Sequence, residues 1–186
     1  MKGRVVLFVV IVVVLSVTVI FLTSTAQTDS NEYSNKKYGL SFAIPNGINL
    51  YTADNPGPLA SQISSDKPFY LVNLDFTEEN CNVQVMEPIS ENDITGYKNM
   101  LDQNPKMNMP KYQRISVNFI KIGKQKNKTA VEHVFMMQGN IFGKLRQITF
   151  ANKGKGFIFT CATAVNRFDK TNQQFFTPLF DSMDFK

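Results

Sequence analysis

The chain has 186 residues and a formal net charge of +5, from 20 Lys and Arg against 15 Asp and Glu. This excess is too small to indicate nucleic-acid binding, and two cysteines with a single histidine are too few for a zinc cluster. No motif of the GxSxG, HExxH, P-loop or EF-hand type occurs, so the sequence predicts no catalytic residue, no cofactor and no metal site.

The N-terminal segment, residues 1–30, differs in composition from the rest of the chain. Lys2 and Arg4 precede an uncharged apolar run at residues 5–22. As a helix this run would span about 27 Å, close to the hydrocarbon core of a bilayer. Because the basic residues come first, the remainder of the chain is expected on the extracytoplasmic side.

Two interpretations of this segment stay open. In the first it is a permanent single-pass anchor in the cytoplasmic membrane. In the second it is a signal peptide cleaved after Ala26, which would release the protein as a secreted one. Polar residues 23–35 predict a flexible stalk, and residues 31–186 are assigned to one domain.

The domain opens with strand-like alternation. Residues 38–44 predict a half-buried strand, and Asn46-Gly47 then predicts a hairpin turn into a return strand at residues 48–52. Prolines make residues 53–68 a loop. Two further strands are predicted, at residues 69–76 and 81–86.

The second half combines a meander of strands with two helices. Ser90 and Asp93 form a capping-box pattern that predicts a helix over residues 91–103. A final apolar stripe begins at Phe168 and contains Pro178, which predicts a kink or a helix restart there. Short connections predict antiparallel neighbours between four strands, at residues 113–123, 129–138, 144–152 and 156–165. The sum is an α+β fold, with helices packed on an antiparallel sheet of about seven or eight strands.

Two segments resemble PsbP-like proteins. Residues 38–48 read Tyr-Gly-Leu-Ser-Phe-Ala-Ile-Pro-Asn-Gly-Ile, similar to the motif that opens those domains, and residues 176–186 are similar to their final helix. The chain departs from the pattern at Ile48, where the family tends to have Trp. The resemblance implies an exported single domain with an α/β/α sandwich around a central antiparallel sheet. It implies no binding residue and no photosynthetic role.

The two cysteines, Cys81 and Cys161, lie in strand-like runs on faces shared with apolar residues. In an oxidising compartment such a pair favours a disulfide. The alternative is two buried free thiols that pack as small hydrophobes.

Lysines concentrate at two predicted hairpin tips. They are Lys121, Lys124, Lys126, Lys128, Lys153 and Lys155. One hypothesis is a basic rim that contacts anionic lipid headgroups or an acidic protein partner. The alternative is that these lysines only keep the tips soluble. Asn127 begins a glycosylation sequon on one of these tips.

Other candidate residues have plain structural interpretations. His133, the single histidine, has Glu132 beside it on a strand and therefore on the opposite face, so it is interpreted as packed or surface-exposed. Glu78-Glu79 reads as a solvated turn. Loops 53–68 and 104–111 are long enough to carry function. An adaptable apolar surface is offered in and directly after the second loop by Met107, Met109 and Tyr112. The alternative is that the methionines only pack under the loop.

The predicted function is a non-catalytic accessory or binding module, anchored to the membrane and displayed outside the cytoplasm. One alternative is a hydrolase-like envelope enzyme, which a deep polar pocket with converging carboxylates would favour. The other is a structural subunit of a membrane protein complex, which co-purification from gently solubilised membranes would reveal.

Overall fold

The computed structural model describes residues 32–64, 67–73, 79–86, 90–103, 111–138 and 142–186. The predicted anchor at residues 1–30 lies outside them. Within the described ranges, no helix is both long and apolar enough to cross a membrane.

Ten strands and two main helices make up the described chain. The strands are β1 Glu32–Asn35, β2 Leu40–Ala43, β3 Ile48–Thr52, β4 Phe69–Asn73, β5 Asn80–Met86, β6 Tyr112–Ile122, β7 Lys128–Gln138, β8 Phe142–Asn152, β9 Lys155–Ala164 and β10 Asp184–Phe185. Helix α1 is Glu91–Gln103, and short 3₁₀ turns lie at Gly57–Leu59 and Val165–Arg167. The C-terminal helix runs through Phe168–Thr171, a π-helical turn at Asn172–Phe176, and Thr177–Asp181.

The strands form two antiparallel sheets. The large sheet has seven strands in the order β3-β4-β5-β9-β8-β7-β6, and the small sheet has three in the order β1-β2-β10. The α+β class and the meander from β6 to β9 are as predicted. The second sheet was not predicted.

The Asn46-Gly47 turn forms, but it does not make the predicted hairpin. The Ile48 N–H donates to the Pro45 carbonyl at 3.2 Å, and φ of Gly47 is +79°. Strand β2 nevertheless pairs with β1 and β10, whereas β3 pairs with β4. Pro45 has no N–H to donate to a ladder, so pairing cannot continue into this turn.

The predicted stalk is too long at its C-terminal end. Residues 32–35 form β1, because Tyr33 is part of the core rather than of a polar linker. It is 9% exposed, and its ring centroid lies 4.9 Å from that of Phe42 and 4.8 Å from that of Phe69.

The large sheet is covered on both faces. Phe150 and Ala151 are neighbours on β8 and therefore point to opposite faces. Phe150 packs in the aromatic core beneath the C-terminal helix and the small sheet, and Ala151 packs with Ile94 and Leu101 of α1. Helices thus lie on both sides of the sheet, as the family resemblance implied.

Helix α1 begins where the sequence indicated, and the C-terminal helix restarts at the predicted proline. The capping box is present, since the Ser90 N–H donates to Oδ2 of Asp93 at 2.7 Å. Pro178 lies in the first turn of Thr177–Asp181, directly after the π-helical turn.

The buried Arg146 side chain links β8 to this helix and to β7. It donates hydrogen bonds to Glu132 on β7 (2.8 Å), to Asn172 (2.8 Å) and to Thr177 (2.9 Å).

Candidate binding surface

The two hairpin tips that carry the predicted rim lie at the same end of the large sheet. At the β6–β7 tip the Gly123 N–H donates to the Phe180 carbonyl at 3.0 Å. At the β8–β9 tip, Nδ2 of Asn152 donates to the carbonyls of Tyr38 and Gly39 at 2.9 and 3.0 Å. These bonds fix one tip against the C-terminal helix and the other against the turn between β1 and β2.

We call this part of the molecule the basic end. It comprises residues 36–39, 121–128, 153–155 and 184–186, and it contains all six lysines of the predicted rim. The fold adds Lys36, Lys37 and Lys186, which sequence reasoning missed. The Lys36-Lys37 pair beside Tyr38 was a visible signal, but only the pairing of β2 with β1 and β10 places these residues near the tips.

Acidic residues offset part of this charge. Asp181 pairs with Lys126, and Oδ2 of Asp184 lies 4.0 Å from Nζ of Lys186. Both pairs are largely exposed, and exposed ion pairs are weak because water and salt screen them. The lysines outnumber these carboxylates, so the basic end keeps an excess of positive charge.

Two lysines at the tips adopt a left-handed backbone conformation. The φ angle is +50° at Lys126 and +49° at Lys153, and Gly154 follows at +71°. A two-residue hairpin turn with both φ angles positive favours Asn-Gly. A side chain such as lysine costs about 1–2 kcal/mol in this conformation, so Lys153 is not the residue that the turn itself prefers.

A cleft of about 180 Å³ opens at the basic end, between the small sheet and the β8–β9 tip. Three of its lining residues are lysines, and three others have neutral side chains that can form hydrogen bonds. The lining residues are Ser34, Asn35, Lys36, Gly39, Leu40, Ser41, Lys153 and Lys186.

Gly39 allows the walls of the cleft to approach each other. Its φ is +58°, and a Cβ atom there would lie 2.3 Å from the Lys186 carbonyl oxygen and 2.5 Å from Cε of Lys153. The Lys186 N–H also donates to the Gly39 carbonyl at 3.0 Å. Glycine is therefore required both by the backbone angle and by the contact.

His133 is not part of this surface. It is 1% exposed on the face beneath α1, and its Nε2 lies 2.7 Å from the Tyr112 hydroxyl. Burial, with a smaller contribution from the Arg114 guanidinium, lowers the His133 pKa to about 4, so the ring is neutral at pH 7. Glu132 is on the opposite face and binds Arg146, so it cannot orient this imidazole.

Glu79 differs from its predicted solvated state. It is 7% exposed, accepts a 2.7 Å hydrogen bond from the Thr171 hydroxyl, and lies 3.8 Å from the Arg167 guanidinium. It therefore ties β5 to the C-terminal helix. Within the part of the chain that the structure describes, no three His, Cys, Asp or Glu residues are grouped to hold a metal ion.

The remaining candidates are scattered. Cys81 and Cys161 are directly opposite each other on β5 and β9 and are joined as a disulfide in the structure. Asn127 is exposed at the β6–β7 tip. Tyr112 is half-buried against His133, whereas Met107, Met109 and Glu78 lie outside the described residues.

No protein-family model and no curated protein sequence matches the chain. Among solved structures it is similar to cyanobacterial PsbP (CyanoP) from Synechocystis sp. PCC 6803, with a TM-score of 0.57 and 19% identity over 90% of this chain and 99% of that one. A Bacteroides thetaiotaomicron VPI-5482 structure gives a TM-score of 0.59 at 9% identity, covering 86% of this chain and 49% of that one. LpqN of Mycobacterium tuberculosis, described as involved in cell envelope biogenesis, gives 0.50 at 11% identity, covering 77% and 81%. Likeness at these identities concerns the fold, and the chain therefore has the PsbP-like fold that its opening and closing motifs indicated.

Proposed function

We propose that this protein is a non-catalytic binding module, tethered to a membrane by its N-terminal segment and displayed outside the cytoplasm. We further propose that its basic end binds the anionic lipid headgroups of that membrane. The observation that carries the proposal is the convergence of lysines from four separate segments at one end of the domain.

Electrostatics supports this choice of surface. A lysine close to an anionic membrane contributes about 1 kcal/mol, and the effect decays within roughly 8–10 Å at ordinary salt concentrations. Several lysines on one end act together at that range, whereas the same number spread over the whole surface would not. The attraction should therefore orient the domain with its basic end toward the membrane.

The proposed tether makes this weak attraction effective. Residues 23–31 separate the apolar run from β1, and nine extended residues reach at most about 30 Å. A headgroup layer within that radius is present at high effective concentration, so even weak contacts are populated. LpqN, which shares the fold, is described as involved in cell envelope biogenesis, and the cell envelope is the location proposed here.

The test uses tryptophan fluorescence, because the sequence contains no tryptophan. The full chain is reconstituted into vesicles that carry a depth-sensitive lipid quencher, with or without phosphatidylglycerol. A single probe is introduced by Gln125→Trp at the exposed β6–β7 tip, or by Asn166→Trp at the exposed opposite end of β9. We expect stronger quenching of the Gln125→Trp probe, only with phosphatidylglycerol, and its loss on adding salt.

A matched pair of charge reversals completes the test. Lys37→Glu with Lys124→Glu should abolish the difference between the two probes. Lys111→Glu with Lys170→Glu, which makes the same change in charge at exposed positions away from the basic end, should preserve it. Equal quenching of both probes, or a difference that survives the first reversal, would contradict the proposal.

A further inference from the structure

We propose that the cleft at the basic end is an oxyanion site that takes the phosphate group of a lipid headgroup. The inference rests on the proposed function but is more specific, since it assigns one open cleft rather than a whole charged surface.

The size and lining of the cleft suit such a group. A volume of about 180 Å³ is roughly ten times the minimum of about 10–15 Å³ that a cavity needs to hold one water molecule. Lys36 and Lys153 line it from two different segments and form no ion pair with any described residue, whereas Lys186 shares its charge with Asp184. Ser34 and Ser41 line it from the small sheet, and their hydroxyls can add neutral donors to the charged donors of the lysines, which suits a tetrahedral oxyanion.

The walls of the cleft are held in place without a ligand. Oδ1 of Asn35 accepts a hydrogen bond from the Tyr38 N–H at 3.2 Å, which fixes the turn that carries Lys36. Asn152 holds the same turn against the β8–β9 tip through the carbonyls of Tyr38 and Gly39. Binding therefore requires little ordering of the backbone, which lowers one of the entropic costs of binding.

The backbone at Lys153 allows the contribution of its side chain to binding to be separated from its contribution to stability. Its φ of +49° beside Gly154 is a conformation that favours asparagine, yet the chain has a lysine whose stem lies over Gly39 at the cleft. Lys153→Asn should therefore stabilise the fold while it weakens binding.

The experiment measures binding to the full chain in maltoside micelles, which contain no phosphate. Amide resonances of Gly39 and Gly154 are followed by NMR during titration with glycerophosphoglycerol, the water-soluble headgroup of phosphatidylglycerol, and separately with inorganic phosphate. We expect saturable shifts confined to the cleft with the headgroup. Lys153→Asn and Lys36→Gln should each weaken binding by about tenfold, the value of one charge-assisted hydrogen bond.

Lys111→Asn is the matched control. Lys111 is also an exposed lysine at positive φ, +54°, but it lies away from the cleft, so this change should raise the melting temperature in the same way and leave binding unaltered. Shifts that do not saturate, shifts spread over many lysines, or binding that Lys153→Asn leaves unchanged would each overturn the inference. Saturable binding of inorganic phosphate without binding of the headgroup would overturn the lipid as its source.

The two proposals fail separately. If the probes in vesicles behave as expected but the cleft does not bind the headgroup, the basic end still orients the domain and only the cleft assignment is lost. If the cleft binds the headgroup but the probes do not differ, the membrane-facing function is lost.

Discussion

Single glycines decide how closely the segments of the basic end approach each other. Gly39→Ala would force a left-handed alanine and place its Cβ 2.3 Å from a backbone oxygen, which cannot be relieved by a side-chain rotation. We expect it to lower the free energy of unfolding by about 2 kcal/mol or more, measured by chemical denaturation.

A substitution at Gly96, measured by the same chemical denaturation, should have the opposite effect on stability. It lies in α1, is exposed, and would place a Cβ with nothing within 4 Å. Gly96→Ala should stabilise the protein by about 0.5–1 kcal/mol, the usual gain in a helix interior. Equal effects at the two positions would show that the local environment of Gly39 is not as described.

The buried His133 predicts a specific dependence of stability on pH. Its pKa is about 4 in the folded state and near 6.5 when unfolded, so between these values the unfolded chain binds more protons. The stability that the neutral His133 side chain contributes is therefore fully present above pH 6.5 and is lost as the pH falls toward 4. Through His133 alone, the free energy of unfolding should be about 2–3 kcal/mol lower at pH 4.5 than at pH 7.

The His133→Gln variant isolates this contribution. Glutamine does not titrate, so the difference in unfolding free energy between the two proteins should shrink as the pH is lowered from 7 to 4.5. The slope is the readout, because the substitution also changes packing against Tyr112 at every pH. If the free energies of unfolding of the two proteins changed with pH in parallel, the prediction of a buried, neutral His133 side chain would be wrong.

At the scale of elements, the cysteines link two parts of the chain that are distant in sequence. Strand β5 ends the segment before α1, and β9 ends the meander after it; Cys81 and Cys161 join them across 80 residues of separation. The chain-entropy model gives such a link at most about 4–5 kcal/mol. A strong reductant should therefore lower the melting temperature of the protein by several degrees.

The double variant Cys81→Ala with Cys161→Ala serves as control, since its melting temperature should not respond to reductant. Thiol titration of the denatured, non-reduced protein should give no reactive groups. Two reactive thiols in protein purified from an oxidising compartment would instead support the alternative of buried free cysteines.

The elements themselves were largely predictable, but their partners were not. Period-two alternation located β6 to β9 to within about two residues, and a capping box located α1. The separation of β2 from β3 was missed because a hairpin turn signal is local, whereas β2 is held by residues at both ends of the domain. Strand β10 has only two residues, too few for any periodic signal.

At the scale of the whole molecule, one part of the candidate site could be predicted from the sequence and the other could not. The lysines at the hairpin tips could be grouped from sequence because consecutive antiparallel hairpins place alternate turns at the same end. The cleft could not, because its walls come from residues 34–41, from Lys153 and from Lys186. Those three segments meet only when the small sheet has assembled and packed against the β8–β9 tip.

The pairing of β1 also determines how the domain would respond to mechanical load. Glu32 pairs with Ala43 at the open end of the β1–β2 hairpin, so tension transmitted along the preceding chain would separate this pair rung by rung, as a zipper opens. Strand β2 would keep its bonds to β10 while β1 peels away. The first core side chain to leave would be Tyr33, so tension would detach this short strand from the aromatic core before β2.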